Sequence, residues 1–145
     1  MNNFMSKEDI YNIVKLINAK FPDYDICIVG SSSLYLRDIE YKVPGDLDIV
    51  ILNEEFKEMS HQERKYIIRS FIKKETGLCV DCLDLRWGEF KWDEVNLFDI
   101  KVKCILPEEY LKMKILFSET RKIRKSKRER HKEHLEELKE LVKII

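Results

Sequence analysis

The stretch from Cys27 to Leu52, CIVGSSSLYLRDIEYKVPGDLDIVIL, constrains the fold more than any other part of the chain. An apolar run stops at Gly30, three serines and a helix-like segment follow, and Asp46 and Asp48 open a second apolar run. Side chains two apart on a strand share a face, so a strand over 46–52 places both carboxylates side by side. Carboxylates that close repel each other unless a cation lies between them or one is protonated. The pattern therefore predicts a divalent cation, and oxygen ligands beside a Gly-Ser turn favour magnesium with a phosphate-bearing substrate.

The segments before Gly30 predict a helix and then a strand. Ser6-Lys7-Glu8-Asp9 is a capping-box pattern, and the helix behind it should run to about Lys20. The first strand should cover about Asp25 to Val29. Serines 31–33 are expected to cap the next helix, whose free N–H groups and positive dipole end would face a triphosphate beside Gly30 and Ser31. The alternative is that Ser31 is only an N-cap.

Later elements follow from periodicity and from residues that end helices. Asn53 is expected to cap a long helix over about 54–76 that Gly77 ends, and a third strand should cover 78–85. Alternating apolar and polar residues over 96–104 predict one further strand, and Pro107 should begin a helix. The candidate core contacts of the long helix are Phe56, Met59, Tyr66, Ile67, Phe71 and Ile72.

The third strand offers a further acid for the predicted cation site. Its sequence contains Asp81 and Asp84, which are three positions apart and so lie on opposite faces of a strand. The pattern alone leaves both open.

Gly30-Ser31, Asp46-x-Asp48 and the later acid together resemble the minimal nucleotidyltransferases of the DNA polymerase β-like superfamily. The resemblance implies an α/β (α+β) fold with a mixed, mostly antiparallel sheet of four or five strands packed by helices. It favours Asp81 over Asp84 as the third acid, because Asp81 follows the apolar pair Cys79-Val80.

The same resemblance implies the chemistry of the site. Asp46 and Asp48 would hold two Mg²⁺ ions, and Asp81 would complete the shell of the catalytic ion and accept a proton from the acceptor hydroxyl. Gly30 and Ser31 would bind the β- and γ-phosphates of a nucleoside triphosphate such as ATP. The expected reaction moves a nucleoside monophosphate to a hydroxyl acceptor.

The C-terminal part, about 107–145, forms a basic helical segment in this interpretation. It resembles stand-alone nucleotidyltransferases related to abortive-infection toxins, in which Leu-Pro leads to a helix with a lysine, here Lys114. Residues 112–132 hold ten Lys or Arg against two Glu, although the whole chain has a formal net charge of zero. This basic stretch is expected to follow an RNA backbone or to contact a protein acceptor, or else to be a solvated face. Small-molecule acceptors also fit the family.

Bulk properties favour one domain over residues 1–145. The chain is 44% hydrophobic and 37% charged, which is typical of a globular protein with a heavily charged surface. No apolar run approaches the ~20 residues of a membrane helix, so we expect a cytoplasmic protein without membrane contact. The oligomeric state is left open. Four cysteines lie in predicted strands, and buried thiols are favoured over a zinc site at Cys79-x-x-Cys82.

Two other functions compete with the enzyme. The same fold could act as a catalytically silent binding protein in toxin–antitoxin or phage-defence interplay. Alternatively, the chain could be a structural or nucleic-acid-binding domain in which Asp46 and Asp48 only flank a turn. The clustered acids Asp46, Asp48 and Asp81 argue against the silent binding protein, since a pure binder has little use for them. For the structural domain, magnesium plus nucleotide should raise the melting temperature only if the acids form a real site.

Overall fold

The computed structural model describes residues 4–39, 44–53, 61–83 and 90–112, together with the helical residues 136, 139 and 140. The elements in chain order are α1 (Lys7–Lys20), β1 (Ile26–Val29), α2 (Gly30–Leu36), β2 (Leu47–Ile51), α3 (His61–Thr76), β3 (Val80–Cys82), β4 (Trp92–Leu97) and β5 (Ile100–Ile105). Residues 107–112 are also helical.

The five strands form one mixed sheet in the order β3-β2-β1-β5-β4. Strand β1 runs antiparallel to β2 and parallel to β5. Strand β3 runs parallel to β2, and β4 pairs antiparallel with β5 in a hairpin. This arrangement confirms the predicted α+β class with a five-stranded mixed sheet packed by helices, and it divides the strand pairs equally between parallel and antiparallel.

The first helix begins where its capping box predicts. The Ser6 hydroxyl accepts a hydrogen bond from the Asp9 N–H, and the Asp9 carboxylate accepts one from the Ser6 N–H. These bonds satisfy donors that have no partner within the helix. The helix ends at Lys20, as expected, and its buried face consists of Ile10, Ile13, Val14 and Ile17.

Buried apolar side chains form one layer on each face of the sheet, because neighbouring residues of a strand project to opposite sides. One layer joins Ile49 and Ile51 of β2 to α1 and α3. The other joins Val50 of β2 to Leu34 of α2 and to Tyr110. By this alternation Asp48 belongs to the same face as Val50, the face that α2 covers.

The expected single strand over 96–104 is wrong, since this segment contains the turn of the β4–β5 hairpin. Leu97 pairs with Ile100, so Phe98 and Asp99 form a two-residue turn, and Phe98 has φ of +54°. Such turns usually contain glycine or asparagine at positive φ. Because Phe98 and Asp99 are not typical turn residues, the sequence did not reveal the turn. The alternation of apolar and polar residues also continues through it. It packs on α1, where the Tyr11 ring meets Phe98 edge to face and the Tyr11 hydroxyl donates to Asp99.

The predicted core face of α3 is partly wrong. Ile68 and Ile72 are fully buried, whereas the side chains of Tyr66 and Ile67 are 73% and 42% exposed. Residues four apart share a helix face, so Ile68 lies on the same buried face as Ile72, whereas Tyr66 and Ile67 do not. The helix ends as predicted, with Gly77 at φ of +78°.

The expected cap of this helix falls near the edge of the described residues. Asn53 accepts a hydrogen bond from the Asp25 N–H and donates one to the Asp23 carbonyl, and so ties the end of β2 to the start of β1. Residues 54–60, with Phe56 and Met59, lie outside the described residues.

The cysteines are mainly core residues. Cys27, Cys82 and Cys104 are buried, reduced cysteines, and Cys79 is half-buried. Burial raises the pKa of Cys27 and of Cys104 to about 12, so both remain protonated and unreactive near neutral pH.

Candidate functional site

The turn between β1 and α2 requires glycine. Gly30 has φ of +68°, and a Cβ added there would lie 2.4 Å from Oδ2 of Asp48. Residues with a Cβ rarely adopt this backbone conformation, and no real Cβ comes so close to an oxygen. The missing side chain thus allows the Asp48 carboxylate to lie against the backbone of the turn.

The serines after Gly30 have different roles from the predicted cap. Val29 is the N-cap of α2 and makes no side-chain capping bond, so the expectation that a serine caps this helix is wrong. Ser33 donates to the Gly30 carbonyl at 2.7 Å and Ser32 donates to the Asp46 carbonyl at 3.0 Å; both serines are fully buried. They hold the turn together and join it to the start of β2.

Ser31, the predicted phosphate ligand, differs from its neighbours. It is half-buried in the first turn of α2, and its side chain makes no hydrogen bond within the described ranges. Its hydroxyl is therefore available to a ligand in a way that those of Ser32 and Ser33 are not.

Asp48 and Asp81 are neighbours across the sheet. In the parallel pairing of β2 with β3, Asp48 lies opposite Asp81, and on its other side Asp48 lies opposite Val29. Adjacent strands are about 4.8 Å apart, so two acids in register share one face at close range. The structure thus brings both acids to one face of the sheet, level with Val29 at the end of β1 and next to Gly30.

Asp46 lies just before β2, two positions from Asp48. It is exposed, and its carboxylate makes no hydrogen bond or ion pair with the described part of the chain. The Ser32 bond to its carbonyl fixes its backbone beside α2. Among the described residues, the Asp46 carboxylate is therefore exposed near the Gly30 turn with no side-chain partner.

Two cations of α3 pair with the third acid, and sequence reasoning missed both. Lys65 Nζ is 3.5 Å and Arg69 Nη1 is 4.0 Å from Oδ1 of Asp81, whose side chain is 33% exposed. The four-residue spacing of Lys65 and Arg69 places them on one helix face and was readable in the sequence. The spacing alone indicated no site, because the contact with Asp81 depends on β3 being the edge strand next to α3.

The donors suit magnesium in kind but form only part of a shell. Within residues 4–39, 44–53, 61–83 and 90–112, no three His, Cys, Asp or Glu side chains gather as a complete metal-binding group. Magnesium usually binds through one or two carboxylates together with water and substrate phosphates rather than through an all-protein cage. Asp46 and Asp48 match that requirement, and Asp81 would have to share its carboxylate with Lys65 and Arg69.

The remaining predicted residues lie outside the described residues. Asp84 and Lys114 are both among them, as are residues 113–132 of the basic stretch. Lys112 is the first residue of the basic stretch, and its Nζ lies 3.8 Å from Oε1 of Glu109 on the helix that begins at Pro107.

A cavity lies away from the candidate site. Its volume is about 140 Å³, and it lies between α1 and the start of β1, at the other end of β1 from Gly30. Lys103 Nζ and Asp25 Oδ1 pair there at 2.6 Å.

Among the helices that the described ranges contain, none has the length and apolar character that crossing a bilayer requires.

The fold resembles that of a known nucleotidyltransferase-like protein. The solved structure of an antigenic nucleotidyltransferase-like protein from Paracoccidioides brasiliensis superposes with a TM-score of 0.58, covering 91% of this chain and 74% of that one. At 14% sequence identity, this likeness shows a shared fold and no more. No protein-family model and no curated protein sequence matches the chain. The class that the comparison defines is therefore the nucleotidyltransferase-like fold.

Proposed function

We propose that this protein is a magnesium-dependent nucleotidyltransferase that moves a nucleoside monophosphate from a nucleoside triphosphate to a hydroxyl acceptor. The observation that carries the proposal is the meeting of Asp48 with Asp81 across β2 and β3, where Gly30 leaves room for the Asp48 carboxylate. A shared fold with a nucleotidyltransferase-like protein supports it. Asp48 and Asp81 lie in register on one face of the sheet, where oxygen ligands from both could contribute to binding a divalent cation.

Each residue has a role in the proposed reaction. Asp46 and Asp48 would hold magnesium, which when bound neutralises charge on the triphosphate and on the leaving group. Gly30 and Ser31 would bind phosphate through backbone N–H groups and the half-buried Ser31 hydroxyl. Lys114 is the candidate for a further contact to the triphosphate.

The proposed chemical step is a single displacement at phosphorus. The acceptor oxygen forms a bond to the α-phosphorus while the bond from that phosphorus to the oxygen bridging to the β-phosphate breaks. Pyrophosphate leaves, and the proton of the acceptor hydroxyl passes to the Asp81 carboxylate. Lys65 and Arg69 hold that carboxylate at the edge of the sheet.

An assay of label transfer tests the proposal. The protein is incubated with magnesium, each α-labelled nucleoside triphosphate in turn, and total RNA, total protein or neither, and the product is identified by mass. We expect Asp48→Ala and Asp46→Asn to reduce transfer by at least about a hundredfold, the usual effect of removing a group that stabilises charge in an active site. Asp23→Ala and Asp23→Asn are matched controls, since Asp23 is an exposed acid whose backbone carbonyl accepts the hydrogen bond from Asn53. Unchanged transfer by a folded Asp48→Ala protein would contradict the assignment.

A silent binding protein with this fold is the second candidate. The pairing of Asp81 with Lys65 and Arg69 favours it, because the third acid is already neutralised without metal. Isothermal titration with Mg-ATP followed by a turnover assay separates the candidates. Saturable binding with no labelled product from any acceptor would support the binder, and transfer would exclude it.

A further inference from the structure

A row of cations lies on α3 beside the three acids. Lys65, Arg69 and Lys73 recur at intervals of four, so they share one side of the helix. Their contacts show where this side faces: Lys65 and Arg69 reach Asp81, and Lys73 donates to the Gly77 carbonyl at 3.0 Å. We call these three residues the α3 basic row.

The row lies at the same edge of the sheet as the candidate site. Lys73 Nζ is 3.8 Å from Sγ of Cys79, and the Cys79 carbonyl accepts a hydrogen bond from the N–H of Leu47, the residue between Asp46 and Asp48. The basic row therefore extends along the outer side of the acids, while Gly30 and α2 lie on their inner side. Lys65 and Arg69 contact Asp81, whereas Lys73 contacts the Gly77 carbonyl and the Cys79 sulfur.

An exposed aromatic ring accompanies the row. The side chain of Tyr66 is 73% exposed and makes no ring contact or hydrogen bond with the described residues. It lies three positions before Arg69 and seven before Lys73, next to both on the helix surface. Cations that contact phosphates, combined with an exposed ring on which a base can stack, are typical of surfaces that bind single-stranded nucleic acid.

We infer that the acceptor is the end of a single-stranded nucleic acid, which binds along α3 through the α3 basic row and Tyr66. This inference rests on the proposed function, because a strand bound there is an acceptor only if the protein transfers nucleotides. A strand along α3 would bring its terminal hydroxyl to Asp81, on the side of the acids opposite the Gly30 turn.

Fluorescence anisotropy with a labelled ten-nucleotide single-stranded RNA measures the binding directly. We expect the combined variant Lys65→Gln, Arg69→Gln and Lys73→Gln to bind at least about tenfold more weakly at physiological salt. The plot of log affinity against log salt should become shallower by about 2, as expected when three phosphate contacts are lost from a single strand. Tyr66→Ala should weaken binding about tenfold and leave that slope unchanged, because stacking carries no charge.

The matched control removes the same charge elsewhere. Exposed lysines on α1, before β4 and on β5 supply the triple variant Lys15→Gln, Lys91→Gln and Lys101→Gln. This control should bind within about twofold of the unmodified chain, because its charges lie off the strand path. The variant Lys65→Arg with Lys73→Arg retains the charge and should also bind normally, which separates loss of charge from loss of fold. Lys73→Gln alone serves if the triple variant of the row fails to fold.

Several results would overturn the inference. Equal weakening by the α3 triple variant and the control would do so, as would competition by poly-glutamate as effective as that by RNA. Failure of this inference is distinguishable from failure of the proposed function, because RNA binding is measured without nucleotide and repeated on Asp48→Asn. Nucleotide transfer that the α3 triple variant leaves unchanged would reject the acceptor surface and retain the enzyme. RNA binding that requires the row, without transfer by the unmodified protein, would retain the surface and reject the enzyme.

Discussion

At the scale of single residues, Gly30 is the position on which the candidate site depends most. Its positive φ and its contact with Asp48 are separate requirements, and the chain contains a glycine that has only the first of them. Gly77 also has positive φ, at +78°, but a Cβ added there would meet nothing within 4 Å. The two glycines thus separate backbone strain from displacement of the acid.

We predict that Gly30→Ala and Gly77→Ala both lower the free energy of unfolding by about 1–2 kcal/mol, the cost of a left-handed conformation for a residue with a Cβ. Only Gly30→Ala should also abolish nucleotide transfer, because the new methyl group displaces the Asp48 carboxylate. Urea denaturation and the transfer assay measure the two effects. Equal transfer by the two variants would show that the position of Asp48 is unimportant.

The sequence revealed individual residues of the site better than their partners. Gly30 and Asp48 could be named because each stands at the boundary of an apolar run, whereas only the resemblance to a known family favoured Asp81 over Asp84. Lys65 and Arg69 could not be assigned, because their contact with Asp81 depends on β3 being the edge strand beside α3. The position of β3 at the edge of the sheet is determined by tertiary packing and cannot be deduced from a local sequence pattern.

At the scale of elements, the β4–β5 hairpin depends on its contact with α1. The Tyr11 hydroxyl donates to Asp99 in the turn, and Lys15 in turn donates to the Tyr11 oxygen at 3.2 Å. The hydrogen bond from Tyr11, which favours the ionised form, lowers the pKa of Asp99 below its ordinary value of 3.8. Tertiary contacts of this kind stabilise a turn that lacks the usual glycine, which explains why sequence reasoning predicted α1 correctly and missed the hairpin.

We predict that Tyr11→Phe returns the pKa of Asp99 towards 3.8, as followed by carbon-13 NMR of its carboxyl group. Because the folded pKa is the lower one, the contribution to stability is complete above the unfolded value and is lost as the pH falls through the folded value. Tyr11→Phe should therefore be less stable than the unmodified chain at pH 7, and the difference should shrink below pH 4. A difference that stays constant from pH 7 to pH 2 would assign the effect to ring packing alone.

At the scale of the whole molecule, the order of the strands brings the residues of the candidate site together. Strand β2 lies between β1 and β3, so one strand carries Asp48 to the turn at Gly30 on one side and to Asp81 on the other. Periodicity in the sequence indicates that strands exist but contains no signal for their order, and it could not place Asp81 beside Asp48. The resemblance to polymerase β-like nucleotidyltransferases supplied the mixed sheet, and the likeness to a solved nucleotidyltransferase-like structure supports that fold.

The central claim is that the acids at this edge form a nucleotide site that depends on a divalent cation, and thermal unfolding tests it without requiring an acceptor. A ligand that binds only the folded state raises the melting temperature, with stabilisation of about 2.7 kcal/mol at a hundred times its dissociation constant. We predict that magnesium and ATP together raise the melting temperature of the unmodified chain and of Asp23→Asn, whereas either ligand alone raises it much less. Asp48→Asn should lose the combined shift. A shift of equal size in folded Asp48→Asn would contradict the account.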